Sequence, residues 1–124
     1  MPWLYLLIAG LCEMVWPLGF KYTNGFSTRY WAIAITFGIM GFSLYLMSLS
    51  TKGPHAVPIG TAYAVWTGLG AAGTALLGII LFHESRDFVR LICLGLIIAG
   101  VVGLKFLSPP AQLPAPTAAD TKTE

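Results

Sequence analysis

Leu6-Leu7-Ile8-Ala9-Gly10-Leu11-Cys12-Glu13-Met14-Val15-Trp16 decides how this chain is read. The run is apolar except for one carboxyl, Glu13. An ionised side chain at a bilayer centre costs at least about 2.5–3.5 kcal/mol, so an acid held there is a functional site by default. The alternative is a protonated acid that packs helices together through a hydrogen bond.

Outward from Glu13, the first span covers about residues 3–21, with Trp3 and Tyr5 suited to one interface and Lys21 and Tyr22 to the other. Thr23-Asn24-Gly25-Phe26-Ser27 reads as a tight turn, its Asn-Gly pair supplying positive φ. A second span covers about 30–50 without charge; its polar members are Thr36, Ser43, Ser48 and Ser50. Thr51-Lys52-Gly53-Pro54-His55 is a loop by its Gly-Pro pair. The third span covers about 57–82 and starts near Val57-Pro58, with Pro tolerated in a first helical turn. Glycines at 68, 70 and 73 cost helix stability. Their return is close helix contact and a bend that changes between states, with Gly68 and Gly70 among the residues that would allow it. His83-Glu84-Ser85-Arg86-Asp87 reads as a solvated loop. The fourth span covers about 88–107, with Arg90 and Lys105 snorkelling at its ends.

The fold class is therefore an all-α membrane protein with four transmembrane helices, one domain over residues 1–107. Residues 108–124 are rich in Pro, Ala and Thr and read as a disordered tail. Composition agrees. Only 10% of residues are charged, against about 25% in a soluble domain. Four spans fill the chain and leave no room for a soluble catalytic domain. Basic residues sit singly at span ends, which is no nucleic-acid footprint. Cys12 and Cys93 lie in apolar runs and read as unpaired thiols, with no metal spacing and no cofactor motif. The N-terminus lacks the basic region of a signal peptide.

Charge bears on orientation. Lys52, Lys105 and Lys122 fall on one side of the membrane; Lys21, Arg29, Arg86 and Arg90 fall on the other. That near tie gives the positive-inside rule little to choose by. The chain either inserts both ways round or holds one orientation by a weak bias.

Spacing assembles a chamber around the acid. Trp16 follows Glu13 by one turn and shares its face. Pro17, four residues on, cannot donate to the Glu13 carbonyl and crowds it, so the helix should bend at the acid. Tyr63 and Trp66 share a face of the third span, and Ser43 offers a hydroxyl from mid second span. A carboxylate in low dielectric wants a proton or a cation. Indole faces favour cations. A guanidinium suits both, with parallel N–H donors and a flat face. Proton and cation competing for one site is the logic of antiport. Ordinary packing or interface anchoring is the plain reading of the same aromatics. In the fourth span, Gly95, Ala99 and Gly103 recur every four residues as a small-residue face for helix association, with lipid-facing filler as the alternative. A lone acid with no base, nucleophile or metal partner makes a poor catalytic site, so the chain does not read as an enzyme.

Three stretches carry a family resemblance: Glu13-Met14-Val15-Trp16, then Lys21-Tyr22-Thr23-Asn24-Gly25-Phe26, then Pro58-Ile59-Gly60-Thr61-Ala62-Tyr63-Ala64-Val65-Trp66-Thr67-Gly68-Leu69-Gly70. Through them, residues 1–107 resemble the small multidrug resistance family of bacterial four-helix transporters, and within it the guanidinium-exporter subtype. The resemblance implies an antiparallel homodimer of dual topology in the bacterial inner membrane, exporting a small guanidinium-type cation against protons. Glu13 would be the shared proton and substrate site, with Trp16, Ser43, Tyr63 and Trp66 around it. The fourth span would form the dimer contact and the third-span glycines the hinge. Pro17, the long link through Gly53-Pro54-His55-Ala56 and the tail depart from the subtype. The readings to separate are a guanidinium exporter (guanylurea included), an exporter of bulky quaternary ammonium ions, and an accessory membrane subunit.

Overall fold

The computed structural model describes residues 1–25 and 29–111. Phe26 and Ser27 of the first link, and the disorder expected for 112–124, lie outside the described residues. Among the described residues, five α-helices make four rods of membrane-crossing length: α1 (Pro2–Glu13), α2 (Val15–Tyr22), α3 (Tyr30–Ser50), α4 (Ile59–Phe82) and α5 (Phe88–Leu107).

The first rod is α1 and α2 in line, interrupted at Met14. Met14 keeps right-handed helical angles, φ −67° and ψ −21°, but its N–H turns to the Leu11 carbonyl in a tighter closure. Pro17 accounts for the interruption, because its ring nitrogen has no hydrogen for the Glu13 carbonyl. The helix is therefore broken at the acid. In α4 the first helical residue is Ile59; Pro58 stands before it with ψ 139° and its carbonyl accepts the Ala62 N–H at 2.8 Å. Val57 is held out of the helix by its N–H bond to the Ser50 carbonyl at 2.9 Å.

Helix α1 packs on both α3 and α4, α2 follows it against the same pair, and α5 packs on α4. The main core is Leu6, Ala9, Leu46, Val57, Ala62, Val65 and Trp66. Glycine brings the helices close. A Cβ at Gly70 would stand 2.8 Å from Glu13 Cγ and 3.1 Å from its Cβ, and one at Gly73 would meet the Met14 thioether. At Gly68 it would stand 2.9 Å from Val101 Cγ2 on α5. The close contact expected of these glycines is thus present, and α4 runs through them unbroken.

The exterior is apolar, with Phe37, Phe42, Ile80, Leu96 and Ile98 among the exposed side chains. That inverts a soluble surface and suits lipid. Leu94 is the buried residue of α5. Gly95 and Gly103 have nothing within 4 Å of a built Cβ, and Ala99 is exposed, so the small-residue face of α5 is uncovered in a single chain.

In the first link Asn24 (φ 49°) and Gly25 (φ 75°) take left-handed angles, as the Asn-Gly pair predicts. The second link is less solvated than its Gly-Pro pair suggests. Ala56 and Val57 are buried, and the Ala56 carbonyl accepts the Ala111 N–H at 2.8 Å. The hydroxyls of Thr61 and Ser108 lie 3.3 Å apart. Through Ala111 the start of the tail is tied to this link.

Gly70→Ala should cost about 1–3 kcal/mol by overpacking α4 against the root of the Glu13 side chain, read as a lower unfolding temperature in detergent. Gly38→Ala, with nothing within 4 Å, should leave that temperature unchanged or slightly raised through helix propensity.

Candidate functional site

Thr67, Gly70, Ala71, Thr74, Ala75 and Gly78 recur at helical spacing and form one face of α4. All are small, so space opens between this face and the first rod. Glu13, Trp16, Pro17, Leu18 and Lys21 line the opposite wall of a cavity of about 460 Å³. Phe82, Glu84 and Arg90 complete it at the end of α4.

Glu13 and Trp16 meet in this cavity. Trp16 Nε1 donates to Glu13 Oε1 at 2.7 Å. Glu13 Oε2 is buried and has no hydrogen-bond partner among the described residues. One carboxylate oxygen is therefore fixed and the other is available.

Ser43 and Trp66 lie elsewhere. Trp66 Nε1 donates to Ser43 Oγ at 2.9 Å, and Ser43 Oγ donates to the Ala9 carbonyl at 2.7 Å. This chain of bonds ties α4, α3 and α1 together one turn before Glu13. Both side chains are buried in the bundle core and do not line the cavity. Tyr63 is exposed, with its ring 5.8 Å from that of Trp66. Within one chain the five expected residues form two groups rather than a single chamber. The reason is helical phase: the cavity face of α4 carries Thr67, Gly70 and Thr74, while Trp66 faces the core. Among the described residues no group of His, Cys, Asp and Glu could hold a metal ion.

The sequence reading missed the far end of the cavity. His83 takes a left-handed conformation (φ 52°) that ends α4, and the Glu84 N–H reaches back to the Gly78 carbonyl at 3.4 Å. This closure folds Glu84 over Gly78, where a Cβ would stand 2.9 Å from Glu84 Oε2. Lys21 Nζ donates to Glu84 Oε1 at 2.6 Å and Arg90 Nη2 to Oε2 at 2.8 Å. Lys21 Nζ also sits 4.4 Å from the centre of the Phe82 ring. The third link is thus more than a solvated loop: Glu84 clamps α2 and α5 across the end of the cavity. Lys21, read as an interface anchor, pairs an acid of its own chain. A usable signal was present, since the opposite charges of Lys21, Glu84 and Arg90 all fall at one end of the bundle. Nothing in the sequence marked the backbone turn that brings them together.

The hydrogen bond from Lys21, then that from Arg90, holds the Glu84 carboxyl below the ordinary carboxylate range. A group with a lowered folded-state value adds stability above its unfolded value and loses it as pH falls through the folded one. The clamp should therefore be intact at neutral pH. Its contribution should disappear in acid, below the ordinary value of 4.5. Unfolding temperature against pH should show that acid loss in the wild type, and Glu84→Gln should flatten it.

Residues 1–97 match the family model described as Small Multidrug Resistance protein. The chain is 50% identical over 108 residues to a protein of Yersinia pseudotuberculosis named guanidinium exporter, covering 87% of this chain and 100% of that one. It is 52% identical over 105 residues to a guanidinium exporter of Salmonella typhimurium, covering 85% and 96%. It is 49% identical over 108 residues to a guanidinium exporter of Proteus vulgaris, covering 87% and 100%. With its four apolar membrane-length rods, the chain is a multi-pass protein of the bacterial inner membrane and belongs to the Small Multidrug Resistance family.

Proposed function

We propose that this protein exports guanidinium and small substituted guanidines, guanylurea among them, in exchange for protons. The observation that carries the reading is the Glu13 carboxylate in the wall of a cavity: one oxygen held by Trp16, the other buried and without a partner among the described residues. A buried carboxylate in that condition is satisfied by a proton or by a cation. A guanidinium brings charge-assisted N–H donors to the acid and a flat face to the indole beside it. The names of the curated relatives point to the same cargo.

Competition at one carboxyl links the two ions. When the cation binds, the proton leaves; when the proton returns, the cation leaves. If the ionised empty form rarely changes its access, exchange follows. Trp16 orders the carboxylate. Ser43 and Trp66 fix the stretch of α1 that presents it, through the Ala9 carbonyl. Tyr63 stands outside them as a rim residue. Gly68 and Gly70 supply the hinge at which α4 changes its bend. Four short rods do not enclose a pathway, so a second, antiparallel copy completes it across the uncovered face of Gly95, Ala99 and Gly103. The transporter domain is residues 1–107, and no catalytic step is assigned to it.

The test is transport by purified protein in liposomes, supplied in turn with guanidinium, guanylurea and a quaternary ammonium ion. Currents with both guanidines, lost in Glu13→Gln, are expected. Current with the quaternary ammonium ion alone would replace this reading with multidrug export, and silence from a folded dimer would point to an accessory subunit.

A further inference from the structure

The far end of the cavity repeats the chemistry of the inner end. At the inner end a carboxylate and an indole stand together, Glu13 and Trp16. At the far end a carboxylate and a phenyl ring, Glu84 and Phe82, line the same cavity. A cation lies against both of them. Lys21 Nζ is 2.6 Å from Glu84 Oε1 and 4.4 Å from the centre of the Phe82 ring. A carboxylate oxygen and an aromatic face around one positive group are the parts of a cation site. Here the chain fills it with its own ammonium.

That occupant is placed to exchange. The Lys21 side chain is 48% exposed and that of Glu84 33%, and an ion pair open to solvent is weakly held. Lys21 reaches Glu84 from α2, 63 residues away in the chain, through one carboxylate oxygen and on a flexible four-carbon stem. Arg90 is held differently. It takes the other oxygen at 2.8 Å and also donates to the Ser85 carbonyl at 3.2 Å. When Lys21 swings aside, Arg90 still orients the carboxylate, and Oε1 is left beside the Phe82 face. The two cations hold the Glu84 carboxyl below its ordinary range, so it stays ionised at neutral pH.

The vacated position selects its ligand by three demands. The ligand needs a positive charge for the carboxylate, an N–H donor for Oε1 and a flat face for the ring. A guanidinium meets all three. A quaternary ammonium ion brings the charge without the donor.

We propose that Glu84 Oε1 and the Phe82 ring form an outer binding site for a guanidinium-type cation, occupied by Lys21 until the cargo displaces it. The cargo class rests on the reading of the protein as a guanidinium exporter; the site itself does not include Glu13. Glu13 packs against α4 at Gly70 and Glu84 at Gly78, a little over two turns apart. Cargo entering by the charged end meets the outer site before Glu13.

The glutamates of the chain are Glu13, Glu84 and Glu124, so the carboxyl signals of protein labelled with 13C-glutamate are assigned by substitution to Gln. Purified full-length Glu13→Gln is titrated at neutral pH with guanidinium chloride replacing sodium chloride. The Glu84 signal should shift to saturation. Adding Lys21→Met removes the competitor and should lower the midpoint about two- to fivefold, the size of one exposed ion pair; Lys21→Ala takes its place if the methionine variant does not fold. Adding Phe82→Leu to that variant should raise the midpoint by about the same factor. An unmoved Glu84 signal, a midpoint indifferent to Lys21 or to Phe82, or an equal response to tetramethylammonium chloride would overturn the proposal. The wild type separates the two sites. A shift of the Glu13 signal without that of Glu84 overturns the outer site and leaves the Glu13 reading, and a shift of Glu84 without Glu13 does the reverse.

Discussion

The fold turns on one contact, the root of the Glu13 side chain against Gly70. There is no space at residue 70 for a Cβ, so the α4 backbone lies directly against the Glu13 side chain of α1. An acid at that depth needs a local polar setting, and the chain builds it from a few parts. Pro17 withdraws a backbone donor and breaks the helix at the acid. Trp16, one turn on, donates its indole N–H to one oxygen. Behind them, the Trp66–Ser43–Ala9 bonds anchor α1 to its two neighbours. The acid is held through one oxygen, and its second oxygen is buried without a partner among the described residues.

The cavity has two unlike ends. At the inner end the Glu13 carboxyl has no cation partner among the described residues. At the other end one carboxylate serves two cations and is held ionised by them. These roles follow from partner supply rather than residue type: Glu84 is saturated by Lys21 and Arg90, while Glu13 is not. Of the acids that line the cavity, Glu13 is the one without a cation partner among the described residues. The wall between the ends consists of small side chains of α4, which leave open space and carry no charge.

Much of this was legible in the sequence. Apolar runs of bilayer length located the rods, and the cost of an acid inside one of them singled out Glu13. Pro17 announced the break. The Asn24-Gly25 pair announced the positive-φ turn. Other features were less legible because they depend on helical phase and on turns that periodicity does not reveal. Tyr63 and Trp66 share a face, but spacing alone does not say whether that face meets Glu13 or the core. The small-residue stripe from Thr67 to Gly78 was visible only in part, as glycines, so Thr74 went unnoticed. Glu84 looked solvated because the His83 turn that folds it back carries no glycine to mark it. The tie between Ala56 and Ala111 joins residues far apart in the chain and leaves no local trace.

The central claim is that a proton and a guanidinium exclude one another at Glu13. Calorimetric titration of guanidinium into the purified protein, in buffers of different protonation enthalpy, measures it directly. Competition predicts that binding releases a proton for each Glu13 carboxyl that exchanges it for the cation. Binding with no proton released at any pH would contradict it.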